Sequence, residues 1–84
     1  MQLVESRPPE YPPLARQARV QGSVQLTATI GRDGRVQQVQ VMSGHPLLVP
    51  AAIEAVKQWV YRPTHLNGEA VDVVTQVEVP FALP

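Results

Sequence analysis

The chain has no cysteine among its 84 residues. That excludes a disulfide framework and any thiolate metal site, and it leaves the compartment open. Net charge is missing too, because seven basic residues balance seven acidic ones. Without a basic excess there is no electrostatic reason to bind nucleic acid or an anionic membrane surface. No apolar run approaches the roughly 20 residues needed to span a bilayer. No signal peptide is visible, since Met1 is followed directly by polar sequence. Met1 reads as an initiator added to an excised fragment, which puts localisation signals outside this sequence. Aromatics are few: Tyr11, Trp59, Tyr61 and Phe81. Nor is there a catalytic constellation. His45 lies in a Gly-His-Pro turn and His65 in a loop after Pro63. The serines have no activating partner motif, the carboxylates are scattered, and no His-x-x-x-His or acidic cluster suggests a metal. The sequence therefore predicts no enzyme, no metal site and no cofactor.

What remains is enough for one domain with a modest core. Residues 1–10 read as an extended Pro-rich arm, the end of a longer Pro-rich spacer, and residues 11–84 as the domain. Pro8-Pro9 and Pro12-Pro13 hold the arm extended. Pro13 can open a short helix through Ala18. Tyr11 is placed to pin the arm to the domain.

The strongest periodicity follows. Val20, Gly22, Val24, Leu26, Ala28 and Ile30 alternate with polar residues, which defines a strand with one buried and one wet face. Asp33-Gly34 marks a hairpin. The return strand, Val36 to Met42, slips its apolar period once, and a bulge near Gln37-Gln38 accounts for the slip. Leu48, Ala52, Ala55, Val56 and Trp59 form one helical stripe. Trp59 is expected in the core near Val24, Leu26 and Val77, and Arg62-Pro63 is expected to end the helix. After an Asn67-Gly68 turn, Val71, Val73, Thr75, Val77, Val79 and Phe81 alternate with Asp72, Val74, Gln76 and Glu78.

The expected fold is α+β, a two-layer α/β sandwich in the order α-β-β-α-β. Each strand has one apolar face, so both helices cover the same side of the sheet. The long helix returns the chain so that the third strand runs parallel to the second. It must then pair with the first, giving a three-stranded antiparallel sheet of order 2-1-3 with a right-handed crossover. The wet face carries no aromatic for base stacking, which argues against RNA. The third strand is an edge, and Pro80 suits that position. Its run from Val73 to Val77 has no charge to protect it. Such an edge suggests capture of a partner strand. The bland alternatives are homodimerisation through edge strands, or an edge covered by the N-terminal arm.

Several short motifs, in order, resemble TonB C-terminal domains. Tyr11-Pro12 with a short helix and Val20-Gln21-Gly22-Ser23-Val24 resembles their opening. Asp33-Gly34-Arg35-Val36 followed by Val39-Gln40-Val41 resembles their hairpin. Trp59-Val60-Tyr61-Arg62-Pro63 resembles their Trp-x-Tyr/Phe-x-Pro signature, and Asn67-Gly68 with the Val-rich strand to Phe81 also fits. The resemblance runs from about Arg7 to Leu83. It implies the periplasmic domain of an inner-membrane-anchored energy transducer, with the anchor outside this chain. Such a domain binds the TonB box of outer-membrane receptors that import siderophores and cobalamin. An ion-driven inner-membrane motor complex, engaged through the N-terminal region of such transducers, supplies the force. The box adds a strand to the third strand, which implies a partner-binding edge of Val71, Val73, Val74, Thr75, Gln76, Val77 and Glu78. It also implies arm contacts at Arg7, Pro8, Pro9 and Glu10, with Tyr11, Gly22, Gly34, Trp59, Pro63 and Phe81 in structural roles. Pro8 departs from the Gln-Pro of some members and removes any hydrogen bond of that glutamine. The alternative is a TolA-like or cell-wall-binding envelope domain without a transport receptor. A small enzyme on a split βαβ scaffold is a distant third reading.

Overall fold

A computed structural model describes residues 2–84; Met1, the first residue of the expected arm, lies outside the described residues. The described residues form, in order, β1 (Leu3–Glu5), α1 (Pro13–Gln17), β2 (Gly22–Ile30), β3 (Val36–Ser43), α2 (Val49–Lys57), β4 (Val60–Tyr61), β5 (Thr64–Leu66), β6 (Glu69–Val71) and β7 (Val73–Phe81). The main sheet is antiparallel with order β3-β2-β7. This is the 2-1-3 arrangement expected from connectivity.

The alternation in β2 does what its period dictates. Val24, Leu26, Ala28 and Ile30 are all buried, and Gln25 between them is exposed. They share one core with Ala15 of α1, with Leu48, Ala52 and Val56 at and in α2, and with Val77, Val79 and Phe81 of β7. Both helices therefore cover the same face of the sheet. Fully burying a side chain such as Leu26 or Ile30 contributes about 1.5–3 kcal/mol. A typical hydrogen bond contributes about 1 kcal/mol net. The inward face of β2 is thus the energetic centre of the domain.

The β2–β3 ladder carries the expected bulge. Thr29 pairs with Gln38 and Ile30 with Val36, so Gln37 is skipped. A second irregularity skips Met42, between Leu26↔Val41 and Gln25↔Ser43. The hairpin is a tight turn closed by Gly34 N–H to the Gly31 carbonyl (2.9 Å) and Gly31 N–H to the Arg35 carbonyl (2.8 Å). Gly34 has φ +85°, a value that favours glycine. Asn67 and Gly68 have φ of 54° and 82° and turn β5 into β6, the two positive values of a type I′ hairpin turn.

Two expectations fail at the end of α2. The helix stops at Lys57, not at Arg62-Pro63. Gln58 and Trp59 donate their N–H groups to Ala55 (3.2 Å) and Val56 (3.0 Å), a tightened last turn. The chain then leaves as β4, and Tyr61 N–H bonds the Gly34 carbonyl at 2.7 Å. This turn rotates Trp59 off the buried stripe. Trp59 is half-buried at the margin of the core, and Tyr61, only 8% exposed, enters the core instead. Burial also pushes the Tyr61 phenol above its ordinary pKa.

The arm is extended, as its prolines require, but it is also docked. β1 pairs antiparallel with β4, Leu3↔Tyr61 and Glu5↔Val60. Arg62 N–H bonds the Gln2 carbonyl at 2.8 Å, and Trp59 Nε1–H donates to the Arg7 carbonyl at 2.9 Å. At the base of the arm the Tyr11 hydroxyl donates to the Val20 carbonyl. The Tyr11 ring meets Phe81 edge-on, with centroids 5.5 Å apart.

Candidate peptide-binding edge

β2 lies between β3 and β7, so the sheet has two outer strands. They differ in regularity. β3 is interrupted by register shifts at both ends, and bulges of this kind blunt an edge. β7 keeps one unbroken register with β2 over all nine residues, from Gly22↔Phe81 to Ile30↔Val73. Among the described residues the arm pairs with β4 and does not cover β7, which removes the alternative of an arm-covered edge.

The direction of each backbone group on β7 follows from the hairpin. The N–H and carbonyl of Gly31 both point toward the returning strand. Along a strand these groups alternate sides. Thr29, Thr27 and Gln25 therefore bond toward β3, and Ile30, Ala28, Leu26 and Val24 toward β7. Their partners Val73, Thr75, Val77 and Val79 turn N–H and carbonyl inward. Val74, Gln76 and Glu78 turn theirs to the open side. Pro80 falls in the same outward series, where its missing N–H costs the ladder nothing.

The side chains alternate as well. Val77 and Val79 are buried under the helices, Val73 and Thr75 are half-buried, and Val74, Gln76 and Glu78 are exposed on the wet face. Val71 belongs elsewhere. It pairs with Thr64 in the β5–β6 hairpin, and exposed Asp72 separates it from β7. The other residues expected on the edge do lie together on β7. Of the arm residues, Arg7, Pro8 and Glu10 line a groove of about 720 Å³ with Pro50, Ala51 and Glu54 of α2, and Pro9 is half-buried nearby in sequence. The sequence reading missed the docking of Leu3–Glu5 on β4 and the indole link to Arg7. The signal was slight: an apolar pair, Leu3-Val4, beside the first proline cluster.

Among the described residues no group of three His, Asp or Glu side chains converges as a metal site would. His45 has a structural task. Its Nδ1 accepts the Leu47 N–H at 3.1 Å, and its carbonyl accepts from Leu48 and Val49 at the start of α2. No helix among the described residues is long and apolar enough to cross a membrane.

The fold and this edge define a class: a small two-layer α+β domain whose antiparallel sheet ends on a regular, open strand. The family model for the Gram-negative bacterial TonB protein C-terminal matches residues 7–83, and the chain belongs to that family. It is 37% identical over 78 residues to protein TonB of Xanthomonas campestris pv. campestris (strain B100), covering 90% of this chain and 35% of that protein. It is 35% identical over 77 residues to protein tonB2 of Pseudomonas aeruginosa, covering 89% of this chain and 28% of that one. The chain thus spans about a third of the length of these relatives. The solution NMR structure of the Pseudomonas aeruginosa TonB CTD superposes with a TM-score of 0.78 at 28% identity, covering 98% of this chain and 85% of that one.

Proposed function

We propose that this domain is the periplasmic, receptor-binding end of a TonB-like energy transducer anchored in the inner membrane. It takes the TonB box of an outer-membrane receptor as an added strand on β7. Through that strand it passes force from an ion-driven inner-membrane motor to the import of siderophores, cobalamin or similar nutrients. Its role is mechanical and not enzymatic. The observation that carries this reading is the unbroken register of β7 together with its outward series of backbone groups at Val74, Gln76 and Glu78. Family membership supports it. Backbone pairing suits such a task because it tolerates varied box sequences, and side chains then add selectivity.

Proline substitution tests it. Gln76→Pro removes an outward N–H and leaves the β2 ladder intact, so the domain should stay folded by circular dichroism. It should bind a synthetic receptor-box peptide at least tenfold more weakly in calorimetry. Thr75→Pro removes the N–H that bonds Ala28 and should unfold the domain. If Gln76→Pro binds the peptide normally, the edge is not the site. The cell-wall-binding alternative then becomes the better reading.

A further inference from the structure

The wet face of the sheet is almost free of charge. The register sets its rows across β7, β2 and β3 as Val74–Thr29–Gln38, Gln76–Thr27–Gln40 and Glu78–Gln25–Ser43, with Pro80 beside Ser23. Glu78 is the one charged residue in these rows. It stands on the outer strand, exposed, with its own backbone groups turned to the open side. The residues paired with it offer no cation. Asp72 and Glu69, which precede β7, are acidic and exposed as well. Arg16 is held away from this face, with its guanidinium 5.8 Å from the centroid of the Tyr11 ring, and Tyr11 packs on the inward-facing Phe81.

A recess of about 350 Å³ opens beside Glu78, and its lining includes Gln25, Met42 and Gln76. Met42 is 61% exposed, and the second irregularity of β3 leaves it unpaired. An apolar thioether near a carboxylate suits a side chain with an aliphatic stem and a cationic head. A strand added to β7 lies about 4.8 Å away. Its residue opposite Glu78 brings a Cβ within about 5 Å.

We propose that this recess is a subsite for a lysine or arginine of the added strand, so that the box accepted by β7 carries a cation on its wet side beside Glu78. The proposal rests on strand addition to β7 and names the partner's chemistry at one position. Glu78 supplies the carboxylate, Gln25 and Gln76 supply amide acceptors, and Met42 carries the stem. An acidic residue at the same position meets Glu78 directly, and like charges opposite one another weaken pairing. The same carboxylate discourages acidic strands in general, which is selection by repulsion.

The test uses three end-capped nonapeptides with Thr at odd and Val at even positions, and Lys, Gln or Glu at the fifth. Calorimetry at low salt should rank them Lys, Gln, Glu, with Lys about three- to tenfold tighter than Glu. The ranking should shrink as salt rises. Glu78→Gln should level it and Glu78→Lys should invert it, with circular dichroism unchanged because the side chain is exposed. Equal affinities for the three peptides, with binding abolished by Gln76→Pro, would overturn the cation subsite and leave strand addition standing. Absence of binding by all three, or binding unaffected by Gln76→Pro, would overturn strand addition and the subsite with it.

Discussion

Gly34 offers the sharpest test of the energetics. Its φ of +85° disfavours any side chain, and a Cβ there would collide with the Tyr61 carbonyl. Gly34→Ala therefore incurs two separable costs. The left-handed backbone costs about 1–2 kcal/mol. The collision is with main chain, so the Tyr61 segment must move. That movement strains the 2.7 Å bond from Tyr61 N–H to the Gly34 carbonyl, at about 1 kcal/mol. It also loosens the buried Tyr61 ring, at about 1–2 kcal/mol. The total is about 3–5 kcal/mol, a large share of the stability of so small a domain. Gly68 supplies the control. Its φ is +82° with nothing within 4 Å of a Cβ, so Gly68→Ala bears the backbone cost alone, about 1–2 kcal/mol. Arg32, exposed in the same hairpin as Gly34, should tolerate Val at about 0.5 kcal/mol or less. Urea unfolding of the four proteins measures these differences. Equal losses for Gly34→Ala and Gly68→Ala would refute the claim that β4 closes against the hairpin.

Trp59→Ala should cost about 1–3 kcal/mol rather than the 3–5 of a fully buried aromatic. Its specific signature should be faster hydrogen exchange at the amides of Arg62 and the β1–β4 pair, since the indole anchors Arg7. A loss above 4 kcal/mol with no change in arm exchange would return Trp59 to the core. Tyr61 predicts an alkaline limit. Burial raises its folded pKa above the ordinary value of 10.0, so the folded state holds the proton more tightly than the unfolded chain. That contribution is fully present below about pH 10 and is lost as pH rises through the folded value. Tyr61→Phe should flatten this limb in urea melts at pH 9 to 11, and an unchanged limb would assign it to other groups.

The amino-acid sequence by itself determined the elements whose signals are local. Alternation over β2 and β7, the Asp33-Gly34 and Asn67-Gly68 turns, and the single slip near Gln37 are all properties of adjacent residues. Strand order followed, because a hairpin and a helical return leave the third strand one place to pair. The outer position of β7, and with it most of the candidate edge, was legible for the same reason. Tertiary structure alone decided the rest. The end of α2 was hidden because Trp59 continues the helical spacing. The bonds that pull Val60 and Tyr61 into a strand come from Gly34 and from the arm, far away in sequence. β1 and β4 have three and two residues, too few to show a period, and their pairing joins the two halves of the chain. Val71 kept the alternation of the last strand, yet the type I′ turn claims it for the hairpin. The isolation of Glu78 needed the register above all. Its neighbours in the chain are Val77 and Val79, and alternation puts Gln76 on its face, but the residues beside it across the sheet are Gln25 and Met42, and only folding brings those together.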